Sequence, residues 1–333
     1  MASRDNIVEV ALPSDQNYVC GLLVTAASLA KYADKTVTIS FNILDGGIHD
    51  DTFTDFEKRV RAIHPNSRFR RLKVNNADFS AFPSWSGNKM AYARLMLPRL
   101  LPEVDHVIYC DTDYIWLTDI VPLWLRRDDK IILQCVRDGC DDTIKKEEKW
   151  FEEHQLSFHS ESYFCTGLLF FNLKLMREED TLHQAFDFLA SHPDVKFADQ
   201  TTLNALLSSR VKLLPECWQL FSRNLRDEDI KTGCAIHFAG EVPWRKLGLW
   251  INTITDSMLI WHRFNARIHG ISTWQSLRRW YGVCEIVRRR FLFHVAHIPL
   301  LRNLFAYLLR LTGRGAYVTH FNVWCRPLKW KWI

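Results

Sequence analysis

Two carboxylates, Asp111 and Asp113, stand one residue apart directly after the apolar run His-Val-Ile-Tyr-Cys. Carboxylates with this spacing at the end of a buried strand can converge on one hard divalent cation, and oxygen ligands favour Mg²⁺ or Mn²⁺ over softer metals. Such a cation neutralises the charge of a diphosphate leaving group. Two solvated loop acids are the alternative, but the apolar run before Asp111, together with the polar segments given below, favours the metal site.

Strand and helix patterns alternate on both sides of this pair. Apolar or alternating segments predict strands at residues 7–12, 37–44, 69–74, 106–110, 168–173, 211–214 and 234–238. Helical spacing predicts helices at residues 18–32, 50–63 and 89–101, and a helical region after Trp250 to about Leu311. This order predicts an α/β fold with a mostly parallel sheet covered by helices, in which ligands bind at the carboxyl ends of the strands.

Charge is unevenly distributed along the 333 residues. Residues 263–333 contain thirteen Lys or Arg, one acid and five Trp, a local net charge of +12, whereas the first 262 residues carry −7. This basic, Trp-rich end predicts contact with an anionic membrane surface, because Trp favours the bilayer interface and anionic lipid attracts cationic side chains. A solvated helical face is the alternative. No nucleic-acid motif is present, so no nucleic-acid partner is expected.

Composition excludes several classes of protein. Hydrophobic residues make up 47% and charged residues 24%, which excludes a disordered chain. Nine scattered cysteines without a C-x-x-C pair predict reduced thiols in a cytosol rather than a disulfide framework or a zinc ribbon. Charges interrupt the first segment, so no signal peptide is expected, and the uncharged apolar runs are too short to cross a membrane.

Further polar segments follow other predicted strands or open predicted helices. They are Pro13-Ser-Asp15-Gln-Asn17-Tyr18, Asp45-Gly46-Gly47, Ala-Tyr92-Ala-Arg94, Phe164-Cys-Thr-Gly167, Ala-Asp199-Gln200 and His237-Phe-Ala-Gly240 with Pro243-Trp244. Together with the two aspartates, these segments resemble glycosyltransferase family 8, most of all the bacterial lipopolysaccharide α-galactosyl- and α-glucosyltransferases. The resemblance covers about residues 5–250. It implies a GT-A catalytic domain at residues 1–250. Charge and composition then define residues 251–333 as a basic, Trp-rich helical region, for which attachment to a membrane surface is expected.

The resemblance also implies roles for particular residues. The implied metal site consists of Asp111, Asp113 and His237. The implied catalytic set, near the donor sugar and the acceptor, consists of Arg94, Asp138, Asp199 and Gln200. Structural roles are the alternatives: a strand-end histidine for His237, a buried ion pair of Arg94 with Asp111 or Asp199, and a helix cap for Asp199.

The donor-binding set implied by the resemblance lies in several loops. It consists of Pro13, Asp15, Asn17, Tyr18, Thr112, Thr166, Gly240 and Lys246. Asp15 could instead, or in addition, cap the following helix. The sequence departs from the family at Cys165-Thr166-Gly167, where Asn-Ala-Gly is usual, and at Val242, where a lysine is usual. Lys246 or Arg245 is expected to reach the diphosphate instead.

The implied activity is retaining transfer of glucose or galactose from UDP-glucose or UDP-galactose, with Mn²⁺ or Mg²⁺ as cofactor. The expected acceptor is a glycan, such as lipopolysaccharide core or another lipid-linked glycan, on the cytoplasmic face of the inner membrane. An amide is a poor nucleophile, so front-face attack is favoured over a covalent intermediate on Gln200. A phosphatase of the haloacid dehalogenase type and a non-catalytic sugar-nucleotide or membrane-binding protein are the alternatives.

Overall fold

In the part of the chain that the structure describes, the strands form two sheets. The computed structural model describes residues 6–83, 89–222, 225, 227–240, 242–244, 254–284, 286–287, 291 and 298–311. Its strands are β1 (Ile7–Ser14), β2 (Thr38–Asp45), β3 (Ser67–Lys73), β4 (His106–Cys110), β5 (Tyr114–Trp116), β6 (Leu133–Arg137), β7 (Phe164–Asn172), β8 (Lys212–Leu213), β9 (Leu220–Phe221) and β10 (Ala235–His237). The larger sheet has the order β3-β2-β1-β4-β7-β6-β8, and the smaller one has the order β5-β10-β9.

Helices cover the sheets and join the strands. They are α1 (Val19–Tyr32), α2 (Asp50–Ile63), α3 (Leu97–Leu100), α4 (Val121–Trp124), α5 (Asp141–Glu153), α6 (Leu173–Glu178), α7 (Thr181–Ser191), α8 (Asp199–Leu207), α9 (Asp227–Thr232), α10 (Asp256–His269), α11 (Thr273–Trp280) and α12 (Pro299–Leu311). Short 3₁₀ turns occur at Asn76–Phe79, Met90–Met96, Ser208–Arg210 and Glu216–Trp218. The predicted α/β class with a mostly parallel, helix-covered sheet is confirmed.

Parallel pairing aligns the carboxyl ends of the first strands. β1 lies between β2 and β4 and is parallel to both, and Ser14 at the end of β1 is opposite Asp45 at the end of β2. β4 is buried along its whole length, which explains the uninterrupted apolar run before the two aspartates. The residues after these strands therefore meet at one edge of the sheet, as the sequence predicts.

The segment before β4 differs from its prediction. Residues 89–101 were expected to form one α-helix, but Met90–Met96 is a 3₁₀ helix and only Leu97–Leu100 is α-helical. Pro98 has no N–H to donate to the carbonyl of Arg94, the bond that a continuous α-helix requires. That carbonyl instead accepts from the N–H of Leu97, which is 3₁₀ geometry.

The C-terminal helices begin with a well-defined pair. Gly270 ends α10 in a left-handed conformation with φ of 62°, and Ser272 with Gln275 forms a capping box at the start of α11. Trp261 of α10 is fully buried and shares a hydrophobic cluster with Ile236 of β10. These helices therefore share one hydrophobic core with α1 and the small sheet. The division at residues 250–251 lies outside the described residues and stays a prediction.

Candidate active site

The two aspartates lie where the two sheets meet. The N–H of Asp111 donates to the carbonyl of Gly167 at 2.8 Å, because β7 runs antiparallel to β4 and begins beside its end. β5 starts after Asp113 and pairs antiparallel with β10, which places Tyr114 opposite His237. The N–H after His237 donates to the carbonyl of Asp113 at 2.9 Å. A carboxylate pair and a histidine 124 residues later are thus joined by the strand pairing.

The donor atoms of this cluster fit a divalent metal. One ligand atom each from Asp111, Asp113 and His237 lie within 4.8 Å of one another. His237 Nε2 is 3.3 Å from Asp113 Oδ1. Within the described part of the chain, buried Asp113 Oδ1 and His237 Nδ1 have no hydrogen-bond partner. A buried carboxylate oxygen normally has a hydrogen-bond partner, so Asp113 Oδ1, with the imidazole Nε2 beside it, suits a cation with mixed oxygen and imidazole ligands.

The imidazole of His237 is held by a stacked aromatic ring on one side and by a close glycine on another. The ring of Tyr114 stacks on His237 with centroids 4.4 Å apart, and its hydroxyl donates to Gln219 Oε1 at 2.7 Å. A Cβ atom on Gly167 would lie 2.6 Å from Cε1 of His237. Only glycine permits this close approach, so the absence of a side chain at Gly167 lets the imidazole of His237 occupy its position beside the two aspartates.

Arg94 joins two acids behind the cluster. Its Nη2 donates to Asp111 Oδ1 at 2.9 Å, and its Nε lies 3.1 Å from Asp199 Oδ2. The guanidinium also donates to the carbonyl of Thr166 and lies 4.4 Å from the centroid of the Tyr109 ring. The ion pair named above as the structural alternative for Arg94 is present, with both Asp111 and Asp199 as partners, and a role of Arg94 near the donor sugar stays a prediction.

Asp199 is one of the most deeply buried acids of this site. Its side chain is 5% exposed, and burial raises its pKa to about 6, although the charge of Arg94 acts in the opposite direction. It is the first residue of α8, and Ala198 before it is the N-cap without a side-chain cap bond. The capping alternative for Asp199 is therefore wrong. Ala198 has φ of 50°, an uncommon conformation for an L-residue that stores strain directly beside the site.

Gln200 is held on three sides. Its Nε2 donates to Asp138 Oδ2 at 2.9 Å and to the hydroxyl of Tyr163 at 3.0 Å. Its Oε1 accepts from the N–H of Thr166 at 3.2 Å. The predicted residues Asp138, Thr166 and Gln200 thus form one hydrogen-bonded group.

The loop after β1 is ordered by its own carboxylate. Asp15 Oδ1 accepts from the N–H of Asn17 at 2.9 Å and from that of Tyr18 at 3.1 Å. The N-cap of α1 is Tyr18, so Asp15 is not the cap. Its carboxylate instead stabilises a turn just before the helix. The ring of Tyr18 meets Trp244 edge-on at 5.9 Å.

Three of the remaining predicted residues lie in or next to the strands that meet at this edge. Pro13 lies in β1 opposite Leu44, and the carbonyl of Thr112 accepts from Thr25 Oγ1 at 2.9 Å. Gly240 follows β10 with φ of 78°, a turn conformation that favours glycine. Lys246, like Arg245, lies outside the described residues.

Sequence reasoning missed Tyr109, Tyr163 and Glu147. Tyr109 donates to Asp111 Oδ1 at 2.6 Å, and Tyr163 donates to Glu147 Oε2 at 3.1 Å. A signal existed for Glu147 alone, because it stands three residues after Ile144 and four before Phe151 on the buried face of α5. The tyrosines lie in apolar runs that look like ordinary core.

This fold and site define a class of α/β protein with an acidic, histidine-containing cluster at the carboxyl edge of its sheet. The family model described as glycosyl transferase family 8 matches residues 9–248, and the chain belongs to this family. The general stress protein A of Bacillus subtilis is 24% identical over 261 residues, covering 72% of this chain and 88% of that protein. A putative glycosyltransferase of Haemophilus influenzae is 27% identical over 210 residues, covering 62% of this chain and 61% of that protein.

Solved structures are similar in fold. The bifunctional glycosyltransferase WbbM, in its apo form, has a TM-score of 0.64 at 22% identity, covering 84% of this chain and 52% of that one. The galactosyltransferase LgtC, in complex with donor and acceptor sugar analogues, has a TM-score of 0.63 at 24% identity, covering 80% of this chain and 96% of that one. The GT-A fold predicted from the sequence is therefore confirmed. The chain is a glycosyltransferase by family and fold.

Proposed function

We propose that this protein transfers glucose or galactose from a UDP-sugar to a glycan acceptor with retention of the anomeric configuration. The observation that carries the proposal is the convergence of Asp111, Asp113 and His237, whose ligand atoms lie within 4.8 Å of one another. These residues would hold Mn²⁺, with Mg²⁺ as the second possibility, and the cation would neutralise the charge of the departing diphosphate.

The protein's own residues prepare the donor for reaction. The buried guanidinium of Arg94 lies between Asp111 and Asp199 and keeps the two carboxylates apart in fixed orientations. Asp199 then offers an oxygen to sugar hydroxyls. Asn17 and Tyr18, ordered by the Asp15 turn, offer an amide and an aromatic face to uracil and ribose.

We favour front-face attack as the mechanism. The acceptor hydroxyl forms its bond to the anomeric carbon on the side from which UDP leaves, as the bond to the phosphate oxygen breaks. The departing oxygen takes the acceptor proton. Gln200 lies on the opposite face and offers the dipole of its amide oxygen to the positive charge that develops on the sugar. An amide is a poor nucleophile, so no covalent intermediate on Gln200 is required.

The acceptor is proposed to be membrane-borne. On α12, Leu300, Leu304, Tyr307 and Leu311 repeat at helical spacing and are 78%, 54%, 57% and 65% exposed. Among the described residues no helix is both long and apolar enough to cross a membrane. An exposed apolar stripe on a helix within a basic segment of the sequence suits a helix that lies in the interface of an anionic membrane. Lipopolysaccharide core or another lipid-linked glycan on the cytoplasmic face of the inner membrane is the proposed acceptor.

A non-catalytic sugar-nucleotide or membrane-binding protein is the second candidate function. The buried Arg94–Asp199 pair and the orphaned atoms of Asp113 and His237 argue for catalysis, because charges and unpaired polar atoms are costly to bury. The phosphatase alternative is wrong, since the family model covers residues 9–248.

A donor screen tests the proposal. UDP-glucose, UDP-galactose and other UDP-sugars are incubated with the full chain and Mn²⁺, Mg²⁺ or a chelator, and released UDP is measured with and without a lipid-linked glycan. We expect turnover of one hexose donor that stops in chelator, and an α linkage by NMR of the product. Donor binding without turnover would support the second candidate, and a β linkage would exclude retention.

A further inference from the structure

Glu147 is a carboxyl group buried without a salt bridge in the described part of the chain. It lies on α5 and is 0% exposed. Its pKa is raised to about 7, mainly by burial and to a smaller extent by the charge of Asp138, while the hydrogen bonds from Thr201 and Tyr163 and the charge of Lys196 act in the opposite direction. A buried ionisable group is costly unless its hydrogen bonds are satisfied, so its presence beside the site calls for a role.

Two hydroxyl groups satisfy the carboxylate. Tyr163 donates to Glu147 Oε2 and Thr201 Oγ1 donates to Oε1, both at 3.1 Å. Thr201 Oγ1 accepts from the N–H of Phe197 at 2.9 Å, so its proton is free to point at the carboxylate. An ionised carboxylate can only accept, so it fixes the hydroxyl protons of both residues.

Because the proton of Tyr163 is fixed, its oxygen can only accept a hydrogen bond from its second neighbour. A phenol has one proton, and this proton points at Glu147, so the oxygen accepts from its other neighbour. That neighbour is Gln200 Nε2 at 3.0 Å. Asp138 Oδ2 accepts from the same Nε2 at 2.9 Å. Two acceptors therefore hold the NH₂ end of the amide, and its oxygen faces the N–H of Thr166.

We propose that Glu147 and Tyr163 are positioning residues that set the orientation of the Gln200 amide. They touch neither donor nor acceptor in this role. The ionised Glu147 holds the proton of Tyr163, Tyr163 then accepts from Gln200, and the oxygen of Gln200 stays on the donor side. A protonated Glu147 releases the proton of Tyr163, so Tyr163 no longer has to accept from Gln200, and Asp138 is then the one acceptor that still holds the NH₂ end of the amide.

The functional part of this inference rests on the proposed function, because the donor-side role of Gln200 belongs to it. The orientation itself can be measured without activity. In ¹⁵N-labelled full chain, the side-chain NH₂ resonances of Gln200, assigned by their loss in Gln200→Ala, report the two hydrogen bonds directly.

The main test compares Tyr163→Phe with Tyr281→Phe. Tyr281 is equally buried, and its hydroxyl donates to the carbonyl of Pro243 at 2.8 Å, so both variants lose one buried hydroxyl. We expect Tyr163→Phe to lower kcat about ten-fold with little change in donor KM, and to shift the Gln200 resonances. Tyr281→Phe should leave both unchanged. Equal kcat in the two variants, or unshifted Gln200 resonances in Tyr163→Phe, would overturn the proposal.

A second test uses the charge of the network. Glu147→Gln places an amide that can donate to Tyr163, so we expect it to shift the Gln200 resonances and lower kcat several-fold. Wild-type kcat should fall as the pH drops through about 7, and this step should be missing in Glu147→Gln but present in Glu148→Gln, an exposed neighbour on α5. The same pH step in all three proteins would refute the role of Glu147. Shifted resonances in an enzyme inactive with every donor would uphold the orientation and refute the proposed function.

Discussion

The strand-end site buries charged side chains, whereas the helix α12 exposes apolar ones. At the site, charged side chains are buried: Arg94 and Asp199 are 4% and 5% exposed and lie 3.1 Å apart. On α12, leucines are exposed, and Leu300 reaches 78%. Each arrangement is costly in water alone. The proposals for the two regions therefore involve partners of different chemistry, a metal with a sugar nucleotide at the site and a membrane surface at α12.

The two regions also differ in how their positions are fixed. Strand pairing and a close glycine contact hold the site, so small displacements there should have large effects on chemistry. On α12 the exposed apolar side chains form one stripe, and the free energy of binding to a membrane surface would be the sum of contributions from several of them. We therefore expect single substitutions to have large effects at the site and small ones on the helix.

The largest effect is expected at the metal cluster. Asp113→Ala removes one of three converging ligands and should lower turnover at least 1000-fold, because the diphosphate charge would no longer be neutralised. Turnover of the preferred UDP-sugar with Mn²⁺ is the measurement, and circular dichroism checks the fold. Asp187→Ala, which removes an exposed acid of α7, is the control. Full activity of Asp113→Ala, or of the wild type in excess chelator, would rule out this site.

The next effect concerns stability at the buried Glu147. Its pKa of about 7 exceeds the ordinary 4.5, so the folded state binds this proton more tightly than the unfolded state. As the pH rises from about 4.5 to about 7, the unfolded chain loses this proton while the folded chain keeps it. The free energy of unfolding therefore falls by roughly 3 kcal/mol across this window, and the contribution of Glu147 is constant above it. Glu147→Gln should lack this fall.

Urea unfolding of the wild type and of Glu147→Gln at about pH 5 and pH 8 measures the difference. Glu148→Gln serves as the control, because the neighbouring side chain is exposed and should leave the pH dependence unchanged. The same pH dependence in wild type and Glu147→Gln would show that the carboxyl group titrates normally.

The sequence predicted the site better than the network behind it. Asp111 and Asp113 follow an apolar strand, and this position alone indicated a metal site. His237 also ends a strand, but only the family resemblance pointed to it as a third ligand. The Glu147–Tyr163–Gln200 connection joins residues 16 and 37 positions apart, and no local pattern encodes such a contact. β6 was missed as well, because its pairing with β7 depends on an antiparallel reversal that short apolar runs do not reveal.

A smaller effect is expected from crowding the histidine. The methyl group of Gly167→Ala would lie 2.6 Å from His237 and 2.7 Å from the hydroxyl of Tyr114, so one of these rings must move. We expect the affinity for Mn²⁺ to fall roughly 10-fold, the lower end of what disturbing the surroundings of metal ligands costs. Titration calorimetry with Mn²⁺ and UDP measures it. Gly282→Ala, where the added Cβ meets nothing within 4 Å, is the control, and equal affinities would contradict the close contact.

The smallest single effect is expected on α12, and it tests the other half of the comparison. Removing the whole C-terminal region from residue 253 would also remove Trp261, which is fully buried, and so would expose the core. A point substitution avoids this. Leu304→Ser removes one exposed leucine from the apolar stripe and should weaken binding to anionic vesicles by roughly 1 kcal/mol, about five-fold.

Co-sedimentation of the full chain with anionic and with neutral vesicles, at low and at high salt, measures this binding. Leu125→Ser is the matched control, because Leu125 is 66% exposed at the end of α4 and lies outside α12. We expect binding to require anionic lipid and to weaken with salt, since exposed charges are screened within about 10 Å at 0.1 M ionic strength. Equal binding of Leu304→Ser and Leu125→Ser would show that α12 does not face the membrane. Equal binding to neutral and anionic vesicles would show that the positive charge of the C-terminal region does not drive binding. Donor turnover without a lipid acceptor should be the same in the wild type and in both variants.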